Sequence, residues 1–177
     1  MERILNNRLT PYLACSIAWI FTWWIQTKIT IAHVTTGIDL VFLPAGVRTL
    51  SVFIFGFSGA VGVFIGSLVT SFFYFANENA IDPASMIVIT LLSAFCSYVV
   101  MVLVCKYRRI SNALDELTFQ DVLLIVFTQG LISPVLHLIA FDYAGLNGHI
   151  GSPLGTLIEE FFYMSAGDIV GAMIFML

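Results

Sequence analysis

Leu43-Pro44-Ala45-Gly46-Val47-Arg48 is the stretch on which the fold of this chain turns. It sets an arginine inside an apolar run that continues to Gly66, just after a proline able to start or bend a helix. A charge in hydrocarbon is costly and by default marks a functional or assembly site with a partner. Hydrocarbon is the relevant solvent because 59% of the 177 residues are hydrophobic and only 10% charged, with mean hydropathy +0.98. A soluble domain carries about 25% charged residues. A chain this apolar cannot cover itself with polar surface, so an integral membrane protein is expected. Long continuous apolar runs, not short alternating segments, point to helices over a barrel.

Working outward from Arg48, apolar segments fall at about 9–25, 38–55, 57–75, 84–105, 119–141 and 154–177. The expected fold is all-α, a polytopic bundle of about six transmembrane helices forming one domain over residues 1–177. Pro44 and Gly46 are expected to break the second segment and open its outer half to water. Gly56-Phe57-Ser58-Gly59 folds it back as a hairpin onto the third. Thr118 and Asp121 predict a shortened capping box for the fifth helix, and Pro134 a kink within it. Near the N-terminus, Trp19, Trp23 and Trp24 stand where a signal peptide would be cleaved, which predicts an uncleaved first helix ending in an aromatic belt. With the N-terminus in the cytoplasm, Arg3, Arg8, Lys106, Arg108 and Arg109 lie inside and Lys28 outside. The excess of basic residues inside predicts N-in, C-in.

The comparable intramembrane charge is Asp168 in the last segment. At 1.5 Å per residue Arg48 lies about 15 Å below the outer end of its segment and Asp168 about 21 Å below that of its own. A long guanidinium stem spans that difference, so the two can pair. Two roles compete: a structural pin between the second and sixth segments, or a charge pair lining a water-accessible cavity where a small polar or anionic ligand competes for Arg48. Glu159 and Glu160, two turns before Asp168, are secondary candidates, as wet carboxylates or a proton relay. Gly59, Gly62 and Gly66, followed by Thr70, form a small-residue face, and Gly167 and Gly171 a second one. Such faces serve close helix packing within the chain or homodimerisation.

Cys15, Cys96 and Cys105 show neither a disulfide framework nor metal spacing. His137 reads as a packed residue bonded to a neighbouring helix, and His33 and His149 are too scattered for a metal site. The Lys106–Arg109 cluster is explained by topology and contact with anionic lipid. No enzyme signature, cofactor motif, metal site or nucleic-acid patch is present.

The ordered set Thr36–Arg48, Phe53-Ile54-Phe55-Gly56, Gly62–Ser67, Asp121-Val122-Leu123 and Gly167-Asp168-Ile169-Val170-Gly171 resembles the membrane-associated sensor domain of the first MASE type. The resemblance spans most of the chain; it departs at Phe42-Leu43, where that family has a tryptophan or second proline. It implies a multi-pass sensory module of the bacterial inner membrane, usually fused to a histidine kinase or diguanylate cyclase. Here the sequence stops at Leu177, so action on a separate cytoplasmic signalling enzyme is expected, with an unidentified small ligand as stimulus. A rival likeness is to the substrate-binding membrane component of energy-coupling-factor vitamin transporters, which dock through small-residue faces such as Gly62/Gly66.

Overall fold

Prolines and glycines set the helix boundaries. The computed structural model describes residues 9–28, 33–35, 38–75, 82–111, 114, 116–144 and 154–176. Helix α1 (Thr10–Gln26) carries Pro11 in its first turn, where a missing amide hydrogen costs nothing. A two-stranded antiparallel ribbon follows, β1 (His33–Thr35) with β2 (Ile38–Asp39). Helix α2 (Leu43–Phe55) has Pro44 in its first turn and stops at Gly56, whose φ of 57° and ψ of −130° suit a residue without Cβ. Helix α3 (Phe57–Phe75) begins at once.

Helix α4 (Pro83–Arg108) starts behind the N-cap Asp82, which accepts from the amides of Ala84 and Ser85 at 2.9 and 3.0 Å and from the Ser85 hydroxyl. Those hydrogen bonds, led by the Ser85 hydroxyl, hold the Asp82 carboxyl below the usual carboxylate range. Helix α5 (Phe119–Tyr143) opens with the Thr118–Asp121 capping box. Asp121 also pairs with Arg108 at 2.7 Å, tying the end of α4 to the start of α5. Helix α6 (Leu154–Met176) is the last described.

Two expectations change. The second helix begins at Leu43, not near residue 38: residues 38–42 are non-helical, and Pro44 starts the helix instead of breaking it. A proline in the first turn loses no intrahelical bond, so it behaves as an initiator. Gly46 lies inside α2 at a close contact, where an added Cβ would collide with the Phe175 ring and meet the Gly171 carbonyl oxygen at 2.5 Å. Helix α5 carries Pro134 in its interior and is continuous across it, as its expected span requires.

Helix α2 is the hub, touching α1, α3, α4 and α6. Its lower half joins an apolar cluster with Val52, Ala60, Cys96, Val100, Met101 and Ile125, and a second cluster gathers Cys15, Trp19, Val63 and Ala94. The polarity of the molecule is inverted relative to a soluble domain. Leu13, Ile17, Phe73, Ile139 and Phe162 are exposed, while Arg48, Thr49, Ser97, Gln129 and Asp168 are buried. Helices α4 and α5 are long and apolar enough to cross a membrane.

Candidate functional site

Arg48 projects from the second turn of α2 into the middle of the bundle and is 0% exposed. A buried guanidinium needs partners for its five N–H donors. Nη2 donates to Asp168 Oδ2 at 2.8 Å, from α2 to α6 across 120 residues of sequence. Nη1 donates to the hydroxyl and carbonyl oxygens of Ser93 on α4 at 3.1 and 3.3 Å. The hydrogen-bond network orients the Gln129 amide on α5 with its oxygen toward the guanidinium. That oxygen accepts from Arg48 Nε at 3.3 Å and Nη2 at 3.2 Å, and the Gln129 nitrogen donates to Ser97 Oγ at 3.2 Å. Thr49 Oγ1 reaches both Gln129 and the Ala45 carbonyl one turn back. One cation thus holds four helices in register.

This geometry opposes water entry at the pair. All three guanidinium nitrogens are engaged, and the side chains of Arg48 and Asp168 are 1% and 9% exposed. The opening expected from a Pro44–Gly46 break is closed, because that segment packs onto α6 instead. A groove of about 650 Å³ lies elsewhere, at the far end of α2 among Phe53, Phe57, Tyr98, Met101 and Lys106.

Both small-residue faces are used inside the chain. A Cβ at Gly62 would meet Cys15 Cβ at 2.7 Å, and one at Gly66 the Ser16 carbonyl at 2.8 Å, so α1 fills that face. Gly59 instead abuts the Ser51 carbonyl across the α2–α3 hairpin. Gly167 and Gly171 abut the carbonyls of Asp39 and Phe42, so the non-helical stretch before α2 lies on α6 on either side of Asp168. Thr70 receives the Trp19 indole N–H at 3.2 Å.

The carboxylates and aromatics divide. Glu160 is buried, as Asp168 is, while Glu159 is exposed. Trp19 is a core residue at 2% exposure, not part of a belt; it and Trp23 meet the Phe42 ring edge-on at 6.3 and 6.1 Å. Trp24 is exposed and stacks on Phe21. His137 bonds its own helix: Nδ1 donates to the Ser133 carbonyl at 2.8 Å, and the ring meets Phe141. His149 lies outside the described residues.

Sequence reasoning missed Ser93, Gln129 and Gln26. The available signal was the rule that singled out Arg48: an amide in an apolar run needs a buried partner. Gln26 is buried at the end of α1. Its Nε2 donates to Asp39 Oδ2 at 3.0 Å and the Val41 carbonyl at 2.9 Å, and its Oε1 accepts from the Leu43 amide at 3.0 Å. No family model, curated protein or solved structure matches this chain, so what the site does must follow from its own chemistry.

Proposed function

We propose that the chain is a six-span module of the bacterial cytoplasmic membrane, N-in and C-in, that passes a stimulus to a separate cytoplasmic signalling enzyme. The responsive element is the Arg48 cluster. The observation carrying this reading is one fully buried guanidinium bonded to α4, α5 and α6 at once. An ion pair desolvated this deeply is a weak source of stability compared with apolar packing, but it has few alternative arrangements and changes all of its contacts together. Such an element converts a small shift at one helix into movement of the others. The resemblance of the 36–67 stretch to membrane sensor domains points the same way. The small-residue face that would suit docking on a transporter subunit is occupied by α1, which counts against the transporter likeness.

The test is purification from native membranes with cross-linking at the cytoplasmic face, followed by mass spectrometry of protein partners and bound small molecules. A histidine kinase or diguanylate cyclase whose output changes in an Asp168→Asn variant is the expected result. A bound vitamin with a transporter ATPase would overturn the proposal.

A further inference from the structure

The stretch that leads from the ribbon into α2 is not helical. Helix α2 has 13 residues, about 20 Å at 1.5 Å per residue, against a hydrocarbon thickness of about 30 Å. In the six-span arrangement proposed above, the remaining depth falls to residues 38–42, which are not helical. Non-helical backbone at membrane depth is tolerated only where it is buried in protein or lines a water-filled cavity, because its polar groups need partners.

Those partners come from other elements. Gln26 of α1 bonds the Asp39 carboxylate, the Val41 carbonyl and the Leu43 amide, and the Phe42 amide donates to the Gly167 carbonyl of α6 at 3.1 Å. The Phe42 ring is gripped edge-on by Trp19 and Trp23. On the opposite side, Gly167 and Gly171 give a track without side chains along α6, and Asp168 sits between them. The segment is therefore seated over the acidic half of the ion pair. A helix would have satisfied its own backbone; here β2 pairs with β1 and the Phe42 carbonyl accepts from the Ala45 amide, while the Val41 carbonyl and the Phe42 amide rely on Gln26 and on the Gly167 carbonyl.

We propose that residues 38–42 form a hinged strap closing the Arg48–Asp168 pair from the side of the β1–β2 ribbon, with Gln26 as its latch. The hinge is Phe42, whose φ of −105° and ψ of 87° lie outside the helical region immediately before Leu43. Release of Gln26 removes its bonds to the Asp39 carboxylate, the Val41 carbonyl and the Leu43 amide together. Water then reaches the guanidinium along the Gly167–Gly171 track. This inference rests on the reading of the pair as the responsive element, but its test does not depend on signalling.

The experiment places a cysteine at Ser93, which contacts Arg48 Nη1, in otherwise unmodified protein in spheroplasts. Labelling by a charged, membrane-impermeant methanethiosulfonate is read at position 93 by tandem mass spectrometry, with native Cys15, Cys96 and Cys105 as internal references. Gln26 is kept, changed to Leu, or changed to Glu. Gln26→Glu is nearly isosteric, loses the two donated bonds and sets a second carboxyl against Asp39, so it serves where Gln26→Leu does not fold. The expected result is slow labelling with Gln26 and at least tenfold faster labelling at position 93 in a latch variant that elutes and melts like the parent. Equal labelling rates in a folded Gln26→Glu variant would overturn the strap. Faster labelling with unchanged partner output would uphold the strap and remove the signalling reading.

Discussion

The two halves of α2 are built on different physics. The lower half, with Val52 against Ala60, Val100 and Ile125, is mostly apolar; Ser51 is its buried polar residue, with its carbonyl against Gly59. The upper half carries Arg48 and Thr49 and packs on α6 through bare glycine backbone. In the membrane setting proposed above, apolar side chains gain little from burial as such, since the surroundings are equally apolar; they gain from dispersion and fit. The lower half therefore tolerates several neighbours of similar shape. The upper half does not, because a buried charge has one acceptable partner set. Register in this bundle is set by the polar, glycine-lined half.

The largest expected effect strikes that half directly. Arg48→Leu leaves Asp168 buried and uncompensated and should cost about 3–5 kcal/mol, read from thermal or denaturant unfolding of purified protein. Gly171→Leu comes next: its side chain would collide with the Phe42 carbonyl, a backbone atom that cannot rotate away. Overpacking of this kind costs about 1–3 kcal/mol or more, whereas Gly155→Leu, with nothing within 4 Å of its Cβ, should leave unfolding unchanged.

The lower half should respond less. Ile125→Val removes one methylene from the apolar cluster and should cost about 0.5–1.5 kcal/mol in the same assay. A loss there as large as that for Arg48→Leu would erase the distinction between the halves. The smallest effect is a pH dependence at the start of α4. The Asp82 carboxyl is held low by the Ser85 hydroxyl and by backbone amides, so its contribution is present above the ordinary carboxylate range. That contribution fades as pH falls through the lowered value. Asp82→Asn should flatten the acid limb of a melting-temperature profile slightly and leave the profile near neutral pH unchanged in shape.

Much of this architecture is legible in the residues. Continuous apolar runs bounded by Gly56, Asp82-Pro83 and Thr118-Asp121 give all six helices, because caps and breakers act locally. The pairing expected of Arg48 and Asp168 is found at 2.8 Å, although the depth count began the second helix at residue 38 and the helix begins at Leu43. The strap was not legible. Ile38–Phe42 is apolar but for Asp39, and a run this short has no periodicity to separate extended chain from helix. Its true signals were Pro44, which belongs in a first turn, and Gln26, whose partners lie 13 to 17 residues away. Trp19 was misread for a related reason: nothing in the sequence says which side of an apolar helix faces lipid. The roles of Ser93 and Gln129 depend on the docking of α4 and α5 against α2, which only the packed structure supplies.

The central claim is that Arg48 and Asp168 act as one unit holding α2 to α6. A double-mutant cycle with Arg48→Leu, Asp168→Leu and the pair together, read as unfolding free energies in one detergent, tests it most directly. Each single change should cost about 3–5 kcal/mol, and the double change should recover most of that loss because no buried charge is left over. Single losses that are small and simply additive would show that the two residues do not depend on each other, and would contradict the account.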